Sequence, residues 1–418
     1  MVSGKTMILG MMGIACSLLM ACSSKQKGNL GKMPVIAEEV TLPTGSSARS
    51  IMALSPVIAE KVTLPTGDLI VCDLAKATDT LDVPLSMLTE ELQIVPLDNR
   101  DEALVGGWVR TTVSDNYILV SNNRQVPYKL FGRDGKFICT VGSFGQGPNE
   151  YQLTYAEQLD EEHNRIYIMS WNAEKILVFD LQGNPQPYIP LNTRVPKGKF
   201  RVNTADSTVI VTKLPFEGSA EMVWVQDMHG NRKQSIAPGH LMVPRDFSNE
   251  VMDARNTSAY DVMLLTIMSE GKQDSLYHYN LEKNRLEPRF TTLFTGERIP
   301  WHGYTELPHH FIGDGSFPVQ VSENTFQGSA PAYYIVDKTT LKGNFMRLKN
   351  DFLHISAWPS FSNGYYTTNM EPMALKEQLE EALKVENLDE SVQARIKACL
   401  SSLDENGNNV ILLAKLKN

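Results

Sequence analysis

A β-hairpin with an Asp-, Asn- or Gly-bearing turn recurs along this chain, and its period constrains the fold more than any other feature. Tyr128-Lys129-Leu130-Phe131 leads through Asp134-Gly135 into a run at 137–141, and residues 175–180 lead through Gly183-Asn184 to Pro187-Tyr188-Ile189. The unit returns at 222–226 with Gly230-Asn231, at 275–279 with Lys283-Asn284, and at 333–337 with Thr339-Thr340. The turns fall near 135, 183, 230, 283 and 339, so the spacings are roughly 47 to 56 residues. A four-stranded propeller blade takes about 40–50 residues, and a few loop insertions account for the excess.

A sixth unit begins with His354-Ile355-Ser356-Ala357-Trp358 and Gly364-Tyr365-Tyr366-Thr367-Thr368 and is then interrupted. The interruption reads as helical over about 372–403. Pro372 suits a first helical position, Leu375, Leu379 and Leu383 recur every four residues, and Asp389 can cap a second helix bearing Val392, Ile396, Cys399, Leu400 and Leu403. The β-run at 410–414 then leaves this blade one strand short. The run at 92–97 precedes the first blade and has no other use. The expectation is an all-β, six-bladed β-propeller with a helical insertion in the last blade, its ring closed by residues 92–97 as an outer strand. Closure protects both ends of the ring from open-edge pairing. Five or seven blades are the alternatives, and the boundaries between 237 and 330 stay open.

The N-terminal residues suggest a separate task. Lys5 is followed by an apolar run from Met7 to Ala21, and these fifteen residues fall short of the roughly 20 a spanning helix needs. They suit a secretory signal instead. The run ends in Leu19-Met20-Ala21-Cys22 and turns polar at Ser23-Ser24-Lys25. Leu at −3, a small residue at −1 and Cys at +1 match the bacterial lipobox. The expectation is a signal over 1–21, with lipidated Cys22 anchoring the chain to the cell envelope through two or three acyl chains. An ordinary secretory signal is the alternative. No acidic residue directly follows Cys22, so an outer-membrane lipoprotein facing the periplasm is the default and surface exposure the alternative.

Residues 34–45 return almost unchanged as 56–67, with Lys61 in place of Glu39. Two copies are too few for a solenoid, so 22–67 reads as a flexible tether and 68–418 as the propeller. The net charge of −9 becomes −10 once the signal is removed, which argues against a nucleic-acid partner. Cys72, Cys139 and Cys399 are scattered, without C-x-x-C spacing, and read as small buried hydrophobes.

The stretch Gly142-Ser143-Phe144-Gly145-Gln146-Gly147-Pro148-Asn149-Glu150-Tyr151 resembles the Gly-x-x-Gly-Gln-Gly-Pro-x-Glu-Tyr signature of Bacteroidetes six-bladed β-propeller lipoproteins, relatives of the NHL-repeat propellers. Residues 164–168 and 175–180 are similar to the middle strands of an NHL blade, while the blades from Phe200 onward depart from that pattern. In this stretch the glycines supply backbone freedom at a crossing between blades, and Tyr151 is expected to pack between them. Asn149 and Glu150 reaching a ligand at the channel mouth is the functional reading.

No nucleophile elbow, zinc-protease helix or phosphate loop is present in the sequence. The densest group of potential ligand-binding side chains is Trp301, His302, Tyr304, His309 and His310. Adjacent strand residues face opposite ways, so His309 and His310 would not share one metal on a strand. Trp171, Trp301, Tyr304, Trp358 and Tyr365 could stack on sugar rings or a peptide, with inter-blade packing as the alternative. These features favour a non-catalytic binding or scaffold protein for a protein, peptide or glycan ligand, with no cofactor required by any motif. The alternative is a metal-dependent hydrolase, lactonase or lyase that holds a divalent ion in the central funnel; no metal-binding set can be named.

Overall fold

Each recurring hairpin forms the third and outer strands of a four-stranded antiparallel blade. The computed structural model describes residues 52–107, 109–122, 126–266, 273–294, 299–322 and 325–418. The signal, Cys22 and the first copy of the duplication lie outside them. Blade 1 comprises Arg110–Val113, Tyr117–Asn122, Val126–Gly132 and Phe137–Val141; blade 2 comprises Thr154–Asp160, Arg165–Ser170, Asn172–Phe179 and Pro185–Pro196. Blade 3 comprises Gly198–Asn203, Thr208–Lys213, Val223–Asp227 and Arg232–Ile236. Blades 4 and 5 start at Glu250–Met252 and Trp301–Glu306, and an extra hairpin, Pro318–Ser322 with Thr325–Gly328, is inserted in blade 5.

The turn chemistry explains why the hairpins were legible. Asp180 and Asp227 each accept backbone N–H groups two and four residues on, at 2.8 to 3.0 Å. Gly183 and Gly230 supply φ of +81° and +84°, values a side chain disfavours. Asn284 and Leu341 occupy left-handed positions with φ of +45° and +60° in the corresponding turns of blades 4 and 5.

The ring closes as expected. Blade 6 is ordered Phe361–Ser362, Tyr365–Met370, Val410–Lys415 and then Gln93–Pro96, the last pair running antiparallel with Ile411 opposite Val95. The strand Ile355–Ser356 does not start this blade, as the sequence suggested, but pairs with Lys349 and Asn350 of blade 5. The helices Pro372–Ala382 and Glu390–Ser402 form the insert, with Pro372 in the first turn and Asp389 as N-cap. Leu375, Leu379, Ala382, Ile396 and Cys399 pack with Leu85, Leu88, Leu348 and Ile355, so the apolar stripe is used against blades 5 and 6.

The tether expectation fails from Met52, where the described residues begin: Met52 and Ile58 are buried and Val57 bridges to Lys342. Ala59–Leu64 and Gly67–Asp73 form a hairpin whose second strand lies parallel to the outer strand of blade 4, with Ile70 opposite Phe290. Thr80–Pro84 adds in the same way to blade 5. The second copy of the duplication is therefore strand and turn. Burying Ile58, Cys72 and Val83 completely supplies the physical reason. Cys72, Cys139 and Cys399 are free thiols, and burial pushes Cys72 up to about 12.

The glycine-rich stretch is built around Tyr151. Its hydroxyl donates to the Val141 carbonyl and accepts from Tyr128 N at 2.8 Å, and the two rings meet edge to face at 5.5 Å between blades 1 and 2. Gly142 has φ +67°, and a Cβ there would stand 2.7 Å from the Tyr151 ring and 2.9 Å from the Phe179 ring. Gly142→Ala is therefore expected to cost roughly 2–4 kcal/mol from backbone strain plus overpacking. Urea unfolding should show a lowered midpoint at unchanged slope.

Candidate functional site

The inner strands all start at the face that carries the crossings between blades and end at the face that carries the turns to the second strands. Strand alternation sends Ala156, Phe200 and Val202 into the packing between blades and leaves Tyr155, Glu157, Lys199 and Arg201 half-buried along the inner ring. The ring is consequently lined by charge.

One end is blocked by a turn of blade 4. Arg255 Nη1 donates to the Glu157 carbonyl of blade 2 at 3.1 Å, and Nη2 donates to the Phe200 carbonyl of blade 3 at 2.6 Å. Asn256 Nδ2 donates to the carbonyls of Glu306 and Phe361, on blades 5 and 6, at 3.1 Å each. Blade 6 returns two bonds, from Asn363 N to the Ala254 carbonyl at 2.8 Å and from Gly364 N to Asn256 Oδ1 at 3.1 Å. A single turn bonded to four other blades must lie across the axis of the ring. Arg255 holds φ +57° to make this crossing, a strained conformation. Asp261 steadies the turn by accepting from Ala254 N at 2.5 Å and Arg255 N at 3.1 Å.

Above this floor the charges are paired. Asp253 meets Arg255 Nε at 2.5 Å, Glu157 meets Arg110 Nη2 at 3.2 Å, and Asp261 lies 3.8 Å from Arg201. Burial works against an ionised Asp253, but the Arg255 and Lys199 charges hold its carboxyl below the usual range. Burial instead raises Asp261. Nearer the crossing face, Lys197 pairs with Glu250 at 2.6 Å, and Tyr155 donates to both Glu250 oxygens at 2.7 Å. Lys199 differs: its Nζ donates to the Tyr155 carbonyl at 3.2 Å and, among the described residues, lies within 4 Å of no carboxylate. Burial lowers its pKa.

An aromatic group sits at the mouth. The Lys197 N–H donates to the Trp171 carbonyl at 2.8 Å, and its side chain reaches the carbonyls of Phe247 and Asn249. Trp171 and Phe247 have ring centroids 5.5 Å apart, and Phe216 meets Phe247 edge to face at 5.1 Å. Phe247 is 53% exposed, so this patch faces solvent. A second cleft, of about 460 Å³, opens at the opposite face beside Asp115, Glu161, Glu162, Tyr365 and Lys415.

The residues singled out from sequence fall in two other places. Asn149 is exposed, and Glu150 folds back to accept from Gly147 N at 2.8 Å, holding the crossing between blades 1 and 2. Tyr151 is inter-blade core. On blade 5, Trp301 lies at the foot of the extra hairpin beside Gly328, and Tyr304 is buried between blades 4 and 5, accepting from Thr292 N at 3.1 Å. His309 is exposed in a turn, while His310 opens the next strand 3.7 Å from Asp337, with burial lowering its pKa to about 4. Each group finds its partners in its own neighbourhood. Among the described residues no three His, Cys, Asp or Glu side chains converge as metal ligands. Of the aromatics weighed from sequence, Trp171 joins this group at the mouth. The charged inner residues were missed because strand alternation shows their common face but not what stands across the ring.

Blade 5 carries a carboxyl that burial raises. Asp314, opposite Gly303 of the inner strand, is pushed up to about 7 by burial. A carboxyl raised above its unfolded value makes folding less favourable as pH climbs from about 4 towards 7 and keeps the full cost above that. Asp314→Asn is therefore expected to stabilise the protein by about 1–3 kcal/mol at pH 8 and to change little at pH 4. Urea midpoints at the two pH values check this.

A solved structure shares the fold. A candidate exported protein from Bacteroides fragilis superimposes with TM-score 0.55 at 15% identity, covering 83% of this chain and 100% of that one. A Bacteroides vulgatus member of the DUF4221 family aligns over 79% of this chain and 98% of its own, at 10% identity and TM-score 0.44. No curated protein matches in sequence. Residues 69–415, nearly all of the propeller, match the sequence profile of DUF4934, a domain of unknown function, and the chain belongs to that family.

Proposed function

We propose that this protein is a non-catalytic binding or scaffold lipoprotein of the cell envelope, taking a glycan, peptide or protein ligand at the crossing face of the ring. One observation carries the reading: the funnel mouth is aromatic, while the carboxylates of Glu157, Glu250, Asp253 and Asp261 each already have a basic partner. Exposed aromatic rings stack on sugars and apolar side chains. Carboxylates held by Arg or Lys are poorly placed to ligate a metal or take a proton, which weakens the hydrolase alternative. The lipobox at Cys22 supports the anchor, and no described helix is long and apolar enough to cross a membrane. The glycine-rich stretch supports kinship with the NHL-like lipoproteins.

Saturable quenching of tryptophan fluorescence by an oligosaccharide or peptide, lost in Trp171→Ala, is the expected result. Hydrolysis of esters or lactones above the buffer rate, abolished by Glu157→Gln, would overturn the reading. For the anchor, labelled fatty acid should enter the wild-type chain and not Cys22→Ala; equal labelling of both would refute lipidation there.

A further inference from the structure

The funnel's charge does not balance. Arg110, Lys199, Arg201 and Arg255 line it against Glu157, Asp253 and Asp261, so the lining carries an excess of at least one positive charge in a chain whose net charge is −9. The excess is concentrated where partners are missing. Lys199 has three donor protons and one observed acceptor, the Tyr155 carbonyl. Arg110 spends Nη2 on Glu157, and its buried Nε has no hydrogen-bond partner among the described residues. Unpaired donors are costly in a protein interior, and here two neighbouring cations draw on the same carboxylate, Glu157.

The space around them is open on one side. Arg110 stands inside the ring of inner strands and yet keeps 34% of its side chain accessible. Since the Asp253–Asn256 turn lies across the other end, that surface opens towards the crossing face, below Tyr155 and the aromatic patch. The result is a blind funnel with donors near its base and π-faces at its lip.

We propose that this funnel is an oxyanion seat, in which Lys199 Nζ and the accessible edge of the Arg110 guanidinium receive the carboxylate or phosphate group of a ligand that enters past Trp171 and Phe247. The proposal rests on the binding reading above and names its ligand class. A compact anion supplies the acceptor lone pairs and the negative charge that the lining lacks, and it forms charge-assisted hydrogen bonds with both groups. Glu157 and Asp253 limit how much negative charge fits, which favours a single carboxylate or phosphate over a polyanion.

The experiment is calorimetric titration and thermal unfolding of the detergent-solubilised full-length chain at fixed ionic strength in chloride, with inorganic phosphate, sodium glucuronate and glucose as probes. Phosphate or glucuronate should bind saturably and raise the unfolding midpoint by mass action, while glucose alone should do neither. Equal binding of the two anions marks a seat for any oxyanion, and tighter glucuronate marks an acidic sugar. Lys199→Met should weaken the anion at least about tenfold, with its unfolding midpoint in chloride read alongside as the check that the variant folds. Lys199→Arg should keep binding, and Arg110→Lys gives an independent weakening should the Met variant not fold. Absence of saturable binding by both anions, or unchanged anion affinity in Lys199→Met, would overturn the seat. Binding of a neutral sugar or peptide alongside either result would leave the broader binding role standing.

Discussion

Val95→Asp is expected to destabilise the whole ring by roughly 4 kcal/mol or more, because it places an unpaired carboxylate in apolar surroundings. Val95 is 5% exposed and packs with Phe131, Tyr365, Ile411 and Leu413 where blades 1 and 6 meet. It belongs to Gln93–Pro96, the strand through which the two ends of the chain hold the ring shut. Weakening that strand frees the edge of Val410–Lys415 for pairing with another chain, so aggregation on unfolding is expected too. The control is Gln93→Asp on the same strand, whose side chain is exposed and contacts Arg133; it should shift stability by less than about 0.5 kcal/mol. Guanidinium unfolding separates the two. Equal midpoints would mean that this strand does not close the ring.

Arg255→Ala is expected to cost about 3–5 kcal/mol, the usual effect of breaking a buried ion pair from one side. Asp253 and Arg255 are only 7% and 11% exposed, and the substitution strands the Asp253 carboxylate as well as the carbonyls of Glu157 and Phe200. Arg255→Lys should recover only part of the loss, since an ammonium cannot span three acceptors as the guanidinium fork does. Pairing Arg255→Met with Asp253→Asn should be less damaging than Arg255→Ala alone, because no buried charge is then left over. Denaturant unfolding of the set gives the coupling directly, and additive losses would mean that the two side chains do not act as a pair.

The blades were readable because each hairpin announces itself locally. An Asp four residues before an Asn, with Gly between them, fixes the turns at Gly183 and Gly230 within a few residues of chain. The helical insert was readable for the same reason, through Pro372, the Leu375/Leu379 spacing and the Asp389 cap. The strands at Ala59–Leu64, Gly67–Asp73 and Thr80–Pro84 were not. They are short, bounded by Pro and Gly, and stabilised by partners more than 200 residues away, such as Phe290 and Met346. Nothing in the pattern of Ala59–Leu64 distinguishes it from a linker that carries a duplication, and the other two were placed in the propeller without being recognised as strands.

The funnel was hidden for a related reason. Lys199 and Arg201 alternate with Phe200 and Val202, a pattern that also fits an ordinary strand with one solvated face. Only ring closure turns that face inward and brings Arg110, Glu157 and the Asp253–Asn256 turn opposite it. The histidine pair stood out in sequence because it is dense, yet His309 and His310 serve a turn and a strand start at the rim of blade 5.

The closure of the channel is tested most directly by amide hydrogen exchange of the native protein at the axial turn. Ala254 N and Arg255 N bond to Asp261, Asn363 N bonds to the Ala254 carbonyl, and Gly364 N bonds to Asn256 Oδ1. These four amides should exchange as slowly as those of the inner strands, and in Arg255→Ala they should speed up ahead of the blades. Exchange at the rate of an exposed loop in the wild-type protein would contradict the crossing and leave an open channel in place of a blind funnel.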